Sequence, residues 1–215
     1  MIVFHRRPAF SLVELLVVVA IIAMIMAFVV PVTGDVMQAS RMTDATNQVE
    51  GFFINARQTA IAHNHTVEVR FYQFGDPEVP GEQAANPASG RFRAMQFFEY
   101  LDQGEAMPVT KVERLPDGIV FDSGATLSTL LGPSQKKTFT GSNLDPQVNL
   151  PRGVNTNYNC CAFQIMPSGT TKLAIGSWYV TLHKLSDGDA LPAPKGNYAT
   201  IQIDGVSGEV TPYRP

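Results

Sequence analysis

The chain has 215 residues, of which 45% are hydrophobic and 16% are charged, and its formal net charge at pH 7 is −3. This length suits one globular domain next to a separate N-terminal segment, and a second domain is not required. The mildly acidic balance argues against a nucleic-acid-binding protein, which usually carries a basic patch or stripe.

A short basic leader precedes a long apolar segment. Residues 15–34 contain no charged side chain, and at about 1.5 Å per residue they make roughly 30 Å of helix, the thickness of a bilayer's hydrocarbon core. The leader, residues 1–9, contains Arg6 and Arg7 but no acid, so the positive-inside rule predicts a cytoplasmic N-terminus and an extracytoplasmic C-terminal part. We therefore expect residues 10–32 to span a membrane.

Glu14 decides between three interpretations of this segment. A secretory signal has an apolar region of about 7–15 residues without an acid, and the run here is longer. A plain uncleaved anchor accepts the length, but a carboxylate inside the bilayer costs on the order of 2.5–3.5 kcal/mol unless it is neutralised. Cleavage between Ala9 and Phe10 would supply a partner, because the new α-amine of Phe10 could pair with Glu14 within or between subunits.

Residues 9–23 read Ala-Phe-Ser-Leu-Val-Glu-Leu-Leu-Val-Val-Val-Ala-Ile-Ile-Ala. This segment resembles the N-terminal cleavage and methylation segment of type IV pilins and type II secretion pseudopilins. The resemblance implies that a membrane prepilin peptidase cuts before Phe10 and N-methylates it, and that Pro31 loosens the helix. That family usually has Gly before the cut, whereas this chain has Ala9. The same leader also resembles that of the cassette-encoded pseudopilin-like proteins of Verrucomicrobia, a further group to which the chain is similar.

Residues 33–64 are predicted to form an amphipathic stalk helix. Gly34 weakens the helix just after Pro31, so both positions are predicted kink sites. Asn64 can adopt the left-handed conformation that often ends a helix. A single apolar stripe on an otherwise polar helix predicts a sheet that covers it. The stripe consists of Met42, Ala45, Val49, Phe53, Ala56 and Ala60.

Strands are predicted to fill residues 65–215, where the apolar period changes to two. In TVEVRFY, residues 66–72, apolar and polar side chains alternate, which predicts a half-buried strand. Further strands are predicted in RAMQFFEYL, PVTKVERL, LPDGIVF, CAFQIM and TTKLAIGSWYVTLHK, and YATIQIDGVSGEVTPY predicts a closing hairpin. Long loops are expected near residues 74–91 and 122–158. One long helix followed by strands predicts an α+β fold, with an antiparallel sheet packed on the helix.

The histidines and acids indicate no metal or catalytic site. His63 and His65 have no further ligand at a readable spacing and are interpreted as helix-end surface residues. Asp187-Gly-Asp189 lacks the fuller acidic spacing and bidentate glutamate of a calcium loop, so a turn is favoured. The sequence contains no Gly-x-Ser-x-Gly elbow, Cys-x-x-Cys pair or phosphate loop. It therefore predicts no cofactor, no metal and no enzymatic activity.

The only cysteines, Cys160 and Cys161, are adjacent. A bridge between sequence neighbours needs a strained ring, so two reduced thiols on opposite faces of a strand are favoured. A vicinal or intermolecular disulfide is the alternative. Strand context also predicts that Trp178 and the Phe97-Phe98 pair lie in the core.

Three later stretches, ARQTAIAHNHTVEVRF, FQIMPSGTTK and ATIQIDGVSGEV, resemble H-type minor pseudopilins and related minor pilins. The resemblance implies a structural subunit of a bacterial type II secretion or type IV pilus-like filament. Its expected partners are prepilin peptidase, other pilin or pseudopilin subunits and an inner-membrane assembly platform. We expect a single-pass protein of the bacterial inner membrane with a periplasmic C-terminal domain, which enters the filament after processing.

The alternative function is a membrane-anchored extracytoplasmic adhesive or DNA-binding minor pilin. A basic cluster on the outer domain would favour it. Lys136, Lys137 and Arg214 are the residues that support it, and they make a small cluster at most.

Overall fold

The structure is a computed structural model that describes residues 11–101, 104–132, 136–139, 150, 154 and 158–215. Its helix α1 comprises Leu12–His63. The chain divides into two compact units, Met1–Ser40 and Arg41–Pro215. The first unit contains the N-terminal part of α1, and the second contains the C-terminal part of α1 together with the strands.

Within the described residues, ten strands follow the helix and form one antiparallel sheet in the order β10-β9-β8-β5-β2-β1-β7-β6, with short β3 and β4 also pairing with β2. Their bounds are β1 Thr66–Phe74, β2 Arg91–Tyr100, β3 Ala106–Pro108, β4 Glu113–Arg114, β5 Ile119–Phe121, β6 Lys136–Phe139, β7 Tyr158–Ile165, β8 Ser177–Lys184, β9 Ala199–Asp204 and β10 Val210–Tyr213. The predicted α+β fold is confirmed.

The predicted apolar stripe of α1 packs on one face of this sheet. Every stripe residue from Met42 to Ala60 is at most 2% exposed. The Phe53 ring lies 5.9 Å from that of Phe71 in β1 and 6.0 Å from that of Phe163 in β7, measured between centroids. The helical period of the sequence therefore identifies the main core correctly.

Backbone geometry and one side-chain contact fix the end of α1. Asn64 has φ 56°, so the predicted left-handed cap is confirmed. Arg57 Nε donates to the carbonyl oxygen of Gly169 at 3.1 Å. Gly169 lies in the turn between β7 and β8 with φ +81°, and a Cβ on it would stand 2.9 Å from Ile61 Cδ1. Glycine at this position lets the turn approach the helix.

β1 is buried on both faces, so the predicted half-buried strand is wrong. The strand lies between β2 and β7, and Glu68 and Arg70 on its outer face are only 4% and 7% exposed. Arg70 Nε donates to Glu68 Oε1 at 2.7 Å, and the Tyr100 hydroxyl donates to Glu68 Oε2 at 3.1 Å. Polar residues are tolerated there because they satisfy one another.

The single strand predicted in PVTKVERL is two short strands, β3 and β4. Between them, the Phe97 N–H of β2 donates to the Thr110 hydroxyl at 3.3 Å. A side-chain acceptor thus replaces a backbone acceptor, which interrupts the regular ladder.

β8 begins at Ser177, later than the predicted strand in TTKLAIGSWYVTLHK. Before it, Thr171 Oγ1 accepts the Leu173 N–H at 3.2 Å, which forms a local turn. Trp178 packs against the core but is only partly buried. Its indole Nε1 donates to the Ala174 carbonyl at 2.8 Å, so the side chain contacts the core, as predicted, but lies at its edge. Phe97 and Phe98 are both fully buried, as predicted.

An ionic network holds the connection between β1 and β2. Arg93 Nη2 lies 2.5 Å from Glu82 Oε1, and Arg93 Nη1 lies 3.2 Å from Asp76 Oδ2. Burial raises the pKa of Asp76, but hydrogen bonds from the Glu78 N–H and from Arg114 outweigh it, and the pKa lies below its usual value. The network gives order to a connection that reads only as a loop in the sequence.

Much of the second predicted loop lies outside the described residues, namely 133–135, 140–149, 151–153 and 155–157. The described part contains the 3-10 helix Thr129–Leu131 and strand β6.

Among the strands of the described residues, β10 and β6 lie at the two ends of the sheet. Pro212 lies within β10, opposite Ile201 of β9. The antiparallel pairing of β9 and β10 confirms the predicted closing hairpin.

Candidate functional site

A capping box forms the start of α1. The Glu14 N–H donates to Ser11 Oγ at 3.2 Å, and the Ser11 N–H donates to Glu14 Oε2 at 2.9 Å. This reciprocal pair satisfies two backbone donors that a helix start otherwise leaves open. The sequence interpretation treats Glu14 only as a charge partner. Serine followed three residues later by glutamate, before an apolar run, is the signal that could have revealed the cap.

The helix after the cap is covered with exposed apolar side chains. In residues 12–26 the large apolar side chains are between 43% and 79% exposed. Apolar residues on every side of a helix indicate a surface that lipid or other apolar helices cover. These residues are Leu12, Val13, Leu15, Leu16, Val17, Val18, Val19, Ile21, Ile22, Met24, Ile25 and Met26.

α1 is continuous through Pro31 and Gly34. A Cβ built on Gly34 meets no atom within 4 Å. Because no neighbour requires a glycine there, its main effect is on the stability of the helix itself. The predicted kink at these two positions stays a prediction.

Ala9 and Phe10, the predicted cleavage site and methylated residue, lie outside the described residues. In the part of the chain that the structure describes, no helix combines the length and the apolar character needed to cross a membrane. The predicted span of residues 10–32 also includes residue 10 and the side chains of residues 28–32, which lie outside that part.

His63 and His65 meet at a carboxylate that sequence spacing does not reveal. His63 Nδ1 lies 3.0 Å from Glu99 Oε2, and His65 Nδ1 lies 2.6 Å from Glu99 Oε1. Burial raises the pKa of Glu99, but the hydrogen bonds from the two imidazoles outweigh it and lower the pKa. The pair therefore joins the end of α1 to β2, which supports a structural interpretation.

Cys160 and Cys161 are adjacent residues of β7 that lie in different apolar clusters. Cys161 belongs to the large core under α1, whereas Cys160 belongs to a smaller cluster that includes Tyr72 and Tyr158. Both are fully buried, and they are not joined in a disulfide. This arrangement agrees with the interpretation of one thiol on each face of the strand.

Asp187 and Asp189 lie in the connection after β8, where the sequence predicts a turn. Asp187 ends the 3-10 helix Leu185–Asp187. Asp189 accepts the N–H and the hydroxyl of Ser123 at 3.0 and 2.8 Å. Asp189 also lies near Asp122 and His183, to which the sequence interpretation gives no role.

The basic residues considered for an adhesive or DNA-binding role are not brought together in the described structure. Arg214 donates to Thr43 Oγ1 at 2.7 Å and to Asn197 Oδ1 at 3.1 Å, so it ties the C-terminus to α1. Lys136 and Lys137 lie in β6, at the other end of the sheet. No observation here favours the alternative function.

Residues 5–30 match a family model described as the prokaryotic N-terminal methylation motif. The matched range includes the leader arginines, the predicted cleavage site and Glu14. A search of curated proteins finds no match to the chain.

Solved structures that are distantly similar to this chain come from two bacteria. The minor pseudopilin EpsH from the type 2 secretion system of Vibrio cholerae is 9% identical, with a TM-score of 0.42 over 81% of this chain and 98% of that chain. The type IV minor pilin FimU of Pseudomonas aeruginosa is 10% identical, with a TM-score of 0.42 over 83% of this chain and 95% of that chain. The methylation motif, rather than these distant likenesses, carries the functional assignment.

Proposed function

We propose that this chain, which carries the N-terminal methylation motif of type IV pilin-like proteins, is a minor-pseudopilin-like structural subunit of a bacterial filament. The single observation that carries the proposal is the motif match over residues 5–30. It coincides with the segment in which the sequence places a basic leader, Glu14 and an uncharged apolar run. The filament is of the type II secretion or type IV pilus kind.

In this proposal, a prepilin peptidase cuts the chain between Ala9 and Phe10 and methylates the new amine of Phe10. Residues 10–32 anchor the subunit in the inner membrane, with the sheet domain in the periplasm. Assembly then transfers the apolar helix from lipid to a bundle of similar helices. An inner-membrane platform and other pilin-like subunits are the partners, and the chain itself carries out no catalysis.

The exposed apolar surface of residues 12–26 supports this assembly step. Helices that are apolar all round are buried in a membrane or in the core of a larger structure. The same surface can therefore contact lipid before assembly and neighbouring helices after it. Bending at Pro31 and Gly34 would adjust the helix as it packs.

Glu14 has two roles that can be separated by experiment. Its backbone N–H and its carboxylate take part in the capping box with Ser11. After cleavage, the charged amine of Phe10 would directly precede Ser11 in the chain, next to the group that the carboxylate already binds. Pairing of Glu14 with the amine of its own or a neighbouring subunit would set the register of the bundle, because an offset subunit would leave both charges unpaired in an apolar core.

The first experiment measures the intact mass and the N-terminal residue of the membrane-extracted chain, with and without a co-expressed prepilin peptidase. We expect a chain that begins at N-methylated Phe10 only when the peptidase is present. A chain that still begins at Met1, in cells where the peptidase processes other substrates, would refute the proposal.

The second experiment compares Glu14→Gln with Ser11→Ala. Glutamine can still act as the third residue of a capping box but has no charge, whereas Ser11→Ala removes the cap at a cost of about 1 kcal/mol and keeps the charge. We expect Glu14→Gln to be cleaved but largely lost from sheared filaments, and Ser11→Ala to assemble nearly normally.

Glu50→Gln is the matched control, since it removes an acid from the C-terminal part of the same helix. It should enter filaments as well as the wild type does. Normal assembly of Glu14→Gln would rule out charge pairing. If only Ser11→Ala were missing from the filaments, the capping box rather than the charge of Glu14 would be what assembly requires.

A further inference from the structure

Three side chains from separate segments converge beside β5 and β8. Asp122 directly follows β5, His183 lies in β8, and Asp189 follows the short 3-10 helix after β8. Their potential metal-binding atoms all lie within 4.8 Å of one another. The Asp122 N–H donates to the Thr181 carbonyl at 2.8 Å, and Val120 pairs with His183 in the ladder. The sheet thus fixes the positions of Asp122 and His183.

The hydrogen bond at Nδ1 determines the tautomer of the His183 ring. Nδ1 lies 2.8 Å from the carbonyl oxygen of Lys184. A carbonyl oxygen only accepts, so Nδ1 carries the hydrogen. In the neutral ring, the lone pair is therefore on Nε2.

Nε2 of His183 points at a carboxylate without forming a hydrogen bond. It lies 3.2 Å from Asp122 Oδ2, yet within the described residues it is a buried atom with no hydrogen-bond partner. His183 and Asp122 are both fully buried. Asp122 Oδ2 already accepts the Leu191 N–H at 3.0 Å. With the ring neutral, Nε2 and the Asp122 carboxylate are two buried electron-pair donors that face each other, and either a proton on Nε2 or a metal ion between them supplies the positive charge that this arrangement needs.

The distance between His183 and Asp122 and the surrounding hydrogen bonds match those of a metal site. Two ligands at 2.0–2.1 Å from a tetrahedral ion lie about 3.3 Å apart, close to the 3.2 Å between His183 Nε2 and Asp122 Oδ2. A metal-binding histidine commonly donates its other N–H to a backbone carbonyl, as His183 does to Lys184. Metal-binding carboxylates are also hydrogen-bonded, and both aspartates accept backbone N–H groups.

We propose that Asp122, His183 and Asp189 bind one divalent transition-metal ion of the zinc type, with water completing the coordination. The imidazole ligand favours zinc-type ions over calcium and magnesium, which prefer oxygen ligands alone. The Asp189 side chain is 17% exposed, and a small rotation away from its hydrogen bonds to Ser123 would complete the site. Arg91 Nε lies 3.8 Å from Asp189 Oδ2, and the two carboxylates outweigh this single positive group.

The ion would hold the connection between β8 and β9 on the sheet. Asp122 directly follows β5 and His183 lies in the neighbouring strand β8, whereas Asp189 belongs to the connection that runs from Leu185 to β9. One ion bound to all three residues closes this connection against β5. Binding should therefore stabilise the folded domain as well as fill a site.

The test uses the full-length chain in detergent, stripped of metal with EDTA, and cobalt(II) chloride or zinc chloride as the only probe. We expect one cobalt ion per chain, with the strong visible absorption of a four-coordinate cobalt site, and displacement by zinc. A zinc concentration 100-fold above the dissociation constant should raise the melting temperature by roughly 5–10 °C. Calcium at the same concentration should leave the spectrum and the melting temperature unchanged.

Two variants address the ligands. His183→Gln removes the nitrogen ligand, and Asp189→Asn changes a partly exposed ligand, so the latter keeps the test usable if the buried change prevents folding. Each should weaken zinc binding by at least the ~10–100-fold that loss of an outer hydrogen-bond partner costs. His65→Gln is the matched control, since it alters the other histidine cluster, at Glu99, and should bind cobalt with an unchanged spectrum.

Two results would overturn the proposal. One is a folded wild-type chain that binds no stoichiometric cobalt or zinc, which would mean that a proton on Nε2 neutralises the pair. The other is cobalt binding that disappears in His65→Gln but persists in Asp189→Asn, which would place the metal at Glu99 instead.

Discussion

Replacement of one partner in the buried Glu68–Arg70 pair is expected to destabilise the domain more than replacement of both. Arg70→Met keeps a long unbranched side chain but removes the guanidinium from the Glu68 carboxylate. Glu68 is only 4% exposed, so its carboxylate is expected to stay buried in the variant. Its remaining donors among the described residues are the Tyr100 hydroxyl at 3.1 Å and the Gln164 amide at 3.2 Å. Both are neutral, so the negative charge is left uncompensated.

The size of the effect follows from these contacts. Breaking a buried ion pair costs about 3–5 kcal/mol of unfolding free energy. The guanidinium carbon Cζ of Arg70 also lies 4.0 Å from the centroid of the Phe98 ring. Because Arg70→Met removes this desolvated cation–π contact as well, its cost should lie near the upper end of that range. The double variant Glu68→Leu/Arg70→Met should cost only about 1–3 kcal/mol, because no charge is buried and the Tyr100 and Gln164 donors lose only an acceptor.

Urea unfolding of the detergent-solubilised chain measures these free energies. Trp178 is the only tryptophan and packs partly buried against the core, so its fluorescence should report unfolding. Lys172→Met is the matched control, because Lys172 is an exposed cation that donates to Gln164 at 2.8 Å, and it should cost less than about 1 kcal/mol. Glu68→Leu is measured alone as well. If the costs of Glu68→Leu and Arg70→Met sum to the cost of the double variant within about 0.5 kcal/mol, the coupling between the two residues is refuted.

Three further predictions concern the second unit. Phe53→Ala should lower the unfolding free energy by about 3–5 kcal/mol and the melting temperature by roughly 6–20 °C, whereas its exposed neighbour Ile54→Ala should change the free energy by about 0.5 kcal/mol or less. Asp76→Asn should destabilise the chain at neutral pH. Because the folded-state pKa of Asp76 is lowered, this difference should persist above the ordinary pKa of about 3.9 and vanish as the pH falls through the lowered value. Cys160 and Cys161, both fully buried, should react with a thiol reagent only after urea unfolds the chain.

Different results would contradict each of these arguments. Equal costs for Phe53→Ala and Ile54→Ala, from urea or thermal unfolding, would mean that α1 does not pack on the sheet as described. If Asp76→Asn lowered the unfolding free energy by the same amount down to strongly acidic pH, the destabilisation would not be due to the charge of the carboxylate. Fast labelling of either cysteine in the native chain would show that β7 opens locally.

The sequence predicts the parts of this fold that depend on local period. The stripe from Met42 to Ala60 repeats every three or four residues, and one sheet face covers it, so its burial could be read directly. The left-handed conformation of Asn64 could also be predicted, because asparagine tolerates this conformation and no distant contact is needed to recognise it. The alternation in β1 led to the wrong prediction of a half-buried strand. An alternating pattern shows which residues share a face of the strand but not what covers that face.

Contacts between distant segments could not be predicted in the same way. Glu99 joins His63 and His65 only because β2 pairs beside β1, and Asp122 meets His183 only because β5 pairs with β8. Neither strand pairing produces a fixed spacing between residues in the sequence from which the contact could be predicted. The capping box of Ser11 and Glu14 is different, since its four-residue signature is local and could have been recognised.

The end strand β10 affects whether two copies of this chain can join through the edges of their sheets. Open strand edges invite addition of further strands, which leads to aggregation. Pro212 removes a backbone donor from β10, and a strand that approached this edge would meet a ring in place of an N–H group. If copies of this chain are concentrated as the proposed filament subunits, Pro212 would therefore disfavour their joining through the β10 edge of the sheet.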